Sequence, residues 1–268
     1  MVCNRMQEAY LNMDTGSQQP PPTSIPRLRQ VHIITDRFSM ANTYLIDDEQ
    51  FIVVDPGSAL NVHLLREYLQ QFLHRSPDSI DLIVLTHLHP DHTTGVDTLR
   101  KTSQAPVAAS IAARQLVQTA TNNQHSDGHL LPPVTHLVGQ VFSHTALPGA
   151  LHHLDLFPPD YERQIQMVDL WLEDVVGLPN HPNWRVIASP GHTPESLCLY
   201  NPFTYELLCG DTVVTLEGGA TLVRTGTNHY QLEQTLQTLR SLEVYYLYPG
   251  HGRPILSKHA LHDIEVEW

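Results

Sequence analysis

The chain has 268 residues, 41% of them hydrophobic and 16% charged, which is enough apolar material for a sizeable core and sets aside disorder over most of its length. Fifteen Lys and Arg stand against 28 Asp and Glu, a formal net charge of −13 that repels phosphate backbones, so no nucleic-acid partner is expected. Eighteen histidines outnumber the Lys and Arg together, and histidines that hold a metal must stay neutral. Cys3, Cys198 and Cys209 are too few and too odd in number for a disulfide framework, so a reducing, cytoplasmic setting is expected. No apolar run approaches the roughly 18–20 residues that span a bilayer, and the N-terminus has no apolar core of a secretory signal, so no membrane partner is expected.

Residues 1–27, with Gln18-Gln19-Pro20-Pro21-Pro22, read as a polar Pro-rich leader before a single domain over 28–268. Val31–Thr35, Ala41–Ile46 and Phe51–Val54 read as strands, with Asp47-Asp48 turning between the last two. Leu60–His74 reads as a helix with Leu65, Leu69, Phe72 and Leu73 on one face, and Ile80–Leu85 as a strand buried on both faces. Val107–Ala109 and Ile111–Ala120 continue the strand and helix alternation. Residues 122–183, rich in His, Pro, Asn and Asp, read as a variable insertion, either a lid or substrate wall or a solvated surface excursion, with one helical stretch around Glu162–Val176. Trp184–Ala188, Ser196–Tyr200, Tyr205–Leu208 and Val213–Thr215 resume strands; Gln231–Leu242 is an amphipathic helix capped by Asn228, and Val244–Tyr248 a last strand.

Thr86-His87-Leu88-His89-Pro90-Asp91-His92 follows a strand directly and packs three imidazoles and a carboxylate into six positions. Residues two apart in an extended segment point to one side, so His87 and His89 converge, while Pro90 breaks regular structure and lets Asp91 and His92 aim at a neighbouring point. The same placement recurs at other strand ends: Asp55-Pro56-Gly57, Ser189-Pro190-Gly191-His192, Cys209-Gly210-Asp211 and Pro249-Gly250-His251. Ligands gather at the carboxyl ends of strands in open α/β sheets, which points to one shared site. His87, His89, Asp91, His92, His192, Asp211 and His251 are too many donors for one tetrahedral ion and suit two ions sharing a carboxylate. A nitrogen and oxygen donor set favours two Zn²⁺ per chain, with Fe or Mn as alternatives. Two such ions would hold a water between them, lower its pKa and polarise a carbonyl or phosphoryl oxygen.

With its three distant partners, this pattern resembles the metallo-β-lactamase superfamily, and within it the glyoxalase II-type hydrolases; Thr43-Tyr44-Leu45-Ile46 and Val53-Val54-Asp55-Pro56-Gly57 resemble the family's opening strands. The resemblance covers about residues 30–255 and implies an α/β fold, a four-layer αββα sandwich with the metals along one edge. It implies His87, His89 and His192 on a first metal, Asp91, His92 and His251 on a second, Asp211 bridging, and Asp55 orienting a ligand imidazole from behind. Asp91 is also the candidate catalytic residue, as base or proton shuttle. Only 17 residues follow His251, so the glutathione-binding helical extension of glyoxalase II is not expected, which puts hydroxyacylglutathione in doubt as the substrate. Glu195 stands where many relatives carry glycine and is expected to be an exposed carboxylate at a turn. Cys209 is expected to be a small buried strand residue. His125, His129, His136, His144, His152 and His153 are expected to be mostly solvated.

The expected function is hydrolysis of a small thioester, lactone or related ester by a metal-bridging hydroxide, with a small-molecule substrate as the partner. The alternatives are a mononuclear iron, persulfide dioxygenase-like oxidoreductase on His87, His192 and Asp211, or a small-molecule phosphodiesterase.

Overall fold

A computed structural model describes residues 31–35, 41–48, 50–126, 161–216, 219–221 and 228–264. The Pro-rich leader 1–27, the greater part of the 122–183 insertion and the side chains of His125, His129, His136, His144, His152 and His153 lie outside the described residues.

Two six-stranded sheets form the centre. The first takes β1 (Val31–Thr35), β2 (Asn42–Asp47), β3 (Phe51–Val54), β4 (Ile80–Val84), β5 (Val107–Ser110) and β6 (Leu170–Leu172) in spatial order; β1, β2 and β3 pair antiparallel, and β3 through β6 run parallel. The second contains β7 (Gly177–Leu178), β8 (His181–Ala188), β9 (Leu197–Asn201), β10 (Glu206–Gly210), β13 (Tyr246–Pro249) and β14 (Ile255–Leu256), with β10 and β13 parallel. A two-stranded ribbon, β11 (Val214–Leu216) and β12 (Gly219–Thr221), stands apart.

The period of two along each strand builds the layers. Ile52, Val54, Leu82 and Val84 face inward and meet Trp184, Val186, Leu197, Leu199 and Leu208 of the second sheet. Val53 and Ile83 face the other way and pack with Val62, Leu65 and Leu69 of helix α1 (Ala59–Gln71) and Val96 and Leu99 of α3 (Val96–Ser103). On the far side Ile187, Cys198, Leu207, Cys209 and Leu247 pack under Leu232, Leu236 and Leu239 of α6 (His229–Arg240). Strands covered on both faces are apolar nearly throughout, which is why β3, β4 and β5 read as near-continuous hydrophobic runs. Each fully buried Leu, Ile or Val contributes about 1.5–3 kcal/mol. Three cores between four layers make the αββα sandwich.

Several local expectations change. The 162–176 stretch is helical only over α5 (Tyr161–Gln164) and a short 3₁₀ turn to Met167, and then becomes β6. Pairing decides this: Asp169 N donates to Val107 O and accepts from Val107 N through its carboxylate, docking the segment onto β5. Pro90 does not break regular structure. It opens the one-turn helix α2 (Pro90–Thr93), where its missing N–H costs nothing and its fixed φ suits the first turn. Helix α3, whose polar VDTLRKTS sequence conceals a Val96 and Leu99 face, follows with no counterpart in the sequence reading. Helix α4 (Ile111–Ser126) runs longer than expected, and Asn228 caps α6 by accepting from Gln231 N at 3.1 Å.

Candidate metal centre

The expected donors and their supporting Asp55 come from five strand ends on one edge of the sandwich. Asp55 follows β3, His87–His92 follows β4, His192 follows β8, Asp211 follows β10 and His251 follows β13. Backbone hydrogen bonds tie these turns together: Gly57 N to His92 O at 3.0 Å, Leu197 N to Thr86 O at 2.8 Å, Gly250 N to Gly210 O at 2.7 Å and Asn42 N to Gly250 O at 2.7 Å. Gly250 is required here, because a Cβ at that position would lie 1.9 Å from Asp211 Oδ1.

Three-residue groups of donors converge. His87, His89 and His192 form one, and Asp91, His92 and His251 a second. His192 Nε2 lies 3.1 Å from His89 Nδ1, and His92 Nε2 lies 3.3 Å from His251 Nε2. Two nitrogens bound to one tetrahedral ion at about 2.0–2.1 Å stand about 3.3 Å apart, so both separations suit a shared cation. Asp211 lies between the groups: its Oδ2 is 4.0 Å from His87 Nε2, 3.8 Å from His192 Nε2 and 3.3 Å from His251 Nε2, and its Oδ1 is 3.4 Å from His92 Nε2. Asp91 Oδ2 is 3.2 Å from His251 Nε2.

The hydrogen bonds behind the donors fix which nitrogen faces inward. Asp55 Oδ2 meets His92 Nδ1 at 3.0 Å, and the same carboxylate accepts from Thr86 N at 2.8 Å and Thr86 Oγ1 at 2.6 Å. With its proton committed to Asp55, the Thr86 hydroxyl oxygen faces His87 Nδ1 at 3.1 Å as an acceptor. Both imidazoles therefore carry their proton on Nδ1 and present the Nε2 lone pair to the centre. His87 Nε2 is buried with no hydrogen-bond partner, which a cation would satisfy. Asp55, His87 and His92 form a third convergent trio, but these bonds use Asp55 on the outer nitrogen of His92, so it supports rather than shares the centre. Asp55 holds a left-handed backbone, φ 51°, to reach this position.

Electrostatics follow from the crowding. Burial and the neighbouring His92 hold His87 well below the usual imidazole range. Burial alone would lower His92, but Asp211, Asp91 and Asp55 outweigh it and raise it well above that range. Burial is likewise outweighed at His251, pushed up to about 10 by Asp211 and by its bonds to Asp211 and Asp91. Burial would raise Asp211, yet His251 and His92 hold it well below the usual carboxylate range, and Asp91 is lowered by His92 and the His251 bond against its own burial. Without a cation the carboxylates need protons on His92 and His251. With one, neutral imidazoles take its charge instead.

The residues fit metal ions, and two such groups with Asp211 between them suit a pair. Against expectation, Glu195 is not an exposed turn carboxylate. It is 1% exposed, accepts from Leu88 N at 3.3 Å through Oε1 and from Tyr161 OH at 2.8 Å through Oε2. Cys209 is a buried strand residue whose burial beside Cys198 raises its thiol well above the usual range. Thr86, Tyr161 and Gln164 escaped the sequence reading. The one signal was Glu195 itself, a charged residue in a His192-Thr193-Pro194 turn.

A sequence profile described as the metallo-beta-lactamase superfamily matches residues 36–251, ending on the last imidazole of the centre. The chain belongs to the metallo-β-lactamase superfamily. Among its relatives, a hydroxyacylglutathione hydrolase of Idiomarina loihiensis is 27% identical over 209 residues, covering 77% of this chain and 55% of that protein. This chain thus spans about half the length of such hydrolases. A probable metallo-hydrolase of Methanocaldococcus jannaschii is 26% identical over 216 residues, 79% of this chain and 87% of the relative. Among solved structures, a metallo-β-lactamase family protein of Thermus thermophilus superposes with a TM-score of 0.57 at 21% identity, covering 88% of this chain and 78% of the other. The di-iron-bound form of TTHA1623 gives 0.54 at 24% identity, with 84% and 94% covered. Among the described residues, no helix is long and apolar enough to cross a membrane.

Proposed function

We propose that this superfamily member is a metal-dependent hydrolase of a small molecule with an activated carbonyl, a thioester, lactone or related ester, and that it holds two metal ions. One observation carries the reading: donors from four strand ends converge as two groups with Asp211 between them. His87, His89 and His192 are assigned to one ion, Asp91, His92 and His251 to the other, and Asp211 to both. When bound, a pair of such ions supplies a water of lowered pKa and Lewis acidity toward the carbonyl oxygen. Zn²⁺ suits these donors, and the di-iron-bound form of one structural neighbour keeps iron in view.

The chain's own residues supply the rest. Asp91 has a side chain 35% exposed, against 7% or less for the four other donors flanking it and Asp211. Held ionised by His92 and His251, it is the donor able to pass a proton between the centre and solvent. Asp55 and Thr86 keep His92 and His87 in the inward tautomer. The hydrolase names of the relatives support hydrolysis; the half-length match leaves the acyl group open to a substrate other than hydroxyacylglutathione. A cytoplasmic setting follows from the cysteine usage, and the −13 charge argues for a small substrate over a polynucleotide.

The test is elemental analysis of purified protein with turnover of generic thioesters and lactones, beside a His87→Ala/His192→Ala double variant. Two metals per chain, with turnover lost in the double variant, support the reading. Unchanged turnover in the metal-depleted double variant overturns it, and a single iron per chain would shift the reading to the persulfide dioxygenase-like alternative.

A further inference from the structure

Glu195 is a buried carboxylate in a place where nothing in the hydrolytic reading uses it. Burying a carboxylate is costly unless donors hold it, and its two hydrogen bonds reach different parts of the chain. Oε1 accepts from Leu88 N, the amide between His87 and His89. Oε2 accepts from Tyr161 OH, on the short helix that follows residues 127–160. Glu195 itself sits three residues after His192. One side chain thus joins the two segments that carry His87, His89 and His192, which are 107 positions apart at the Leu88 bond. A second tie runs beside it: Gln164 Nε2 donates to Thr93 Oγ1 at 3.2 Å, and Thr93 Oγ1 donates to His89 O at 3.1 Å. Tyr161 and Gln164, three apart on α5, therefore hold both donor-bearing segments, the His192 turn through Glu195 and the His87–His92 loop through Thr93.

We propose that Glu195 is a positioning residue that, with Tyr161, locks the His192 turn and the His87–His92 loop to each other and to helix α5, and so sets the metal affinity of the His87, His89 and His192 group. The inference rests on the metal-centre reading above. The Asp91, His92 and His251 group has a separate support, Asp55 Oδ2 on His92 Nδ1, so Glu195 is expected to matter far less there. The phenol donates to Glu195, and burial with that carboxylate keeps it protonated far above its ordinary range, so the tie persists across the working pH range.

Zn²⁺ affinity is measured by chelator competition in two single-group backgrounds, His251→Ala and His192→Ala, each with and without Glu195→Ala. In the His251→Ala background Glu195→Ala should weaken zinc by roughly 10–100-fold, the range for removing a partner behind a ligand. In the His192→Ala background it should leave affinity within about threefold. Glu195→Gln should restore affinity, because its amide oxygen accepts from Leu88 N and its amide nitrogen donates to the Tyr161 oxygen. Equal weakening in both backgrounds, or none in either, overturns the proposal. Should Glu195→Ala fail to fold, Tyr161→Phe takes its place, and a Tyr161→Phe protein with unchanged first-group affinity overturns it equally. Affinity is read without any substrate, so a chain that hydrolyses nothing would refute the proposed function and leave this test standing.

Discussion

Both ends of the β-sandwich bury histidine beside aspartate, and they use it differently. At the end where β3, β4 and β8 finish, imidazoles from separate loops turn nitrogens toward common points. At the other end, His181 at the start of β8 stands between Asp48, just before β3, and Asp81 near the start of β4. Its Nδ1 is 3.5 Å from Asp48 Oδ2 and its Nε2 3.3 Å from Asp81 Oδ2. One ring with a carboxylate facing each nitrogen turns the two nitrogens in opposite directions, so they meet no third side chain at a common point. Among the described residues, every convergent trio of metal-capable side chains lies at the first end. Convergence, not the density of histidine and aspartate, makes the centre. Each end can be broken separately.

The largest effect should come from Asp211→Ala, which removes the carboxylate between the two groups. A metal ion supplies several kcal/mol of transition-state stabilisation, so turnover of the best thioester or lactone should fall at least about a thousandfold, with fewer metals per chain by elemental analysis. Full turnover with two ions retained would mean that Asp211 is no more than a neighbour of the centre.

Asp55→Asn sharpens the comparison one step further back. Asparagine tolerates the left-handed backbone that Asp55 holds, so the turn should survive while the charge behind His92 is lost. Zinc affinity should drop about tenfold, at the low end for such partners, measured by chelator competition. An unchanged affinity would show that Thr86 and the backbone alone orient the rings.

Proton traffic separates the two states of the first end. Burial pulls His251 down but the carboxylates win, so its folded value of about 10 lies above its ordinary 6.5. Its contribution to the stability of the metal-free protein is then fully present below about 6.5 and lost as pH rises through about 10. Asp211, held below its ordinary 3.8, contributes above that value and loses its contribution as pH falls through its depressed folded value. At pH 7 the metal-free centre carries protons on His92 and His251, and zinc must expel them. Loading zinc in weakly buffered indicator solution should release roughly two protons per chain. Release of none would mean the rings are already neutral and the carboxylates are balanced elsewhere.

These residues also show what could be read before any coordinates. The donors were legible because each follows a strand with a Gly- or Pro-containing turn, and a strand end fixes where the next residue points. Continuous apolar runs gave β3, β4 and β5 their places. Asp47, expected in the turn, instead closes β2 opposite Phe51, and nothing local announces that Asp48, which bends after it, will face a histidine 133 positions away on the other sheet. Glu195 was misread for the same reason: a carboxylate at a Pro-containing turn looks solvated until Tyr161 and Leu88 arrive from elsewhere in the chain. Helical propensity over 162–176 lost to the pairing of β6 with β5, a contact between segments more than 60 residues apart.

The smallest effect on the metal is expected at the far end, and that is its value. His181→Ala leaves Asp48 and Asp81 without the ring that separates them, while Asn180 Nδ2 still donates to Asp81 Oδ2 at 3.3 Å. His181 is 1% exposed and joins the second sheet to the first, so its loss should lower stability by about 1–2 kcal/mol, the usual cost of stranding partly buried polar partners. Zinc stoichiometry and affinity should not move, because the half of β8 nearer the centre is anchored by pairing with β9 from Arg185 to Ala188 before the chain turns to His192. Denaturant unfolding and chelator competition on the same preparation read both quantities. A loss of zinc affinity at unchanged stability would mean that the two ends are coupled through β8, and that the sandwich transmits the position of His181 to His192.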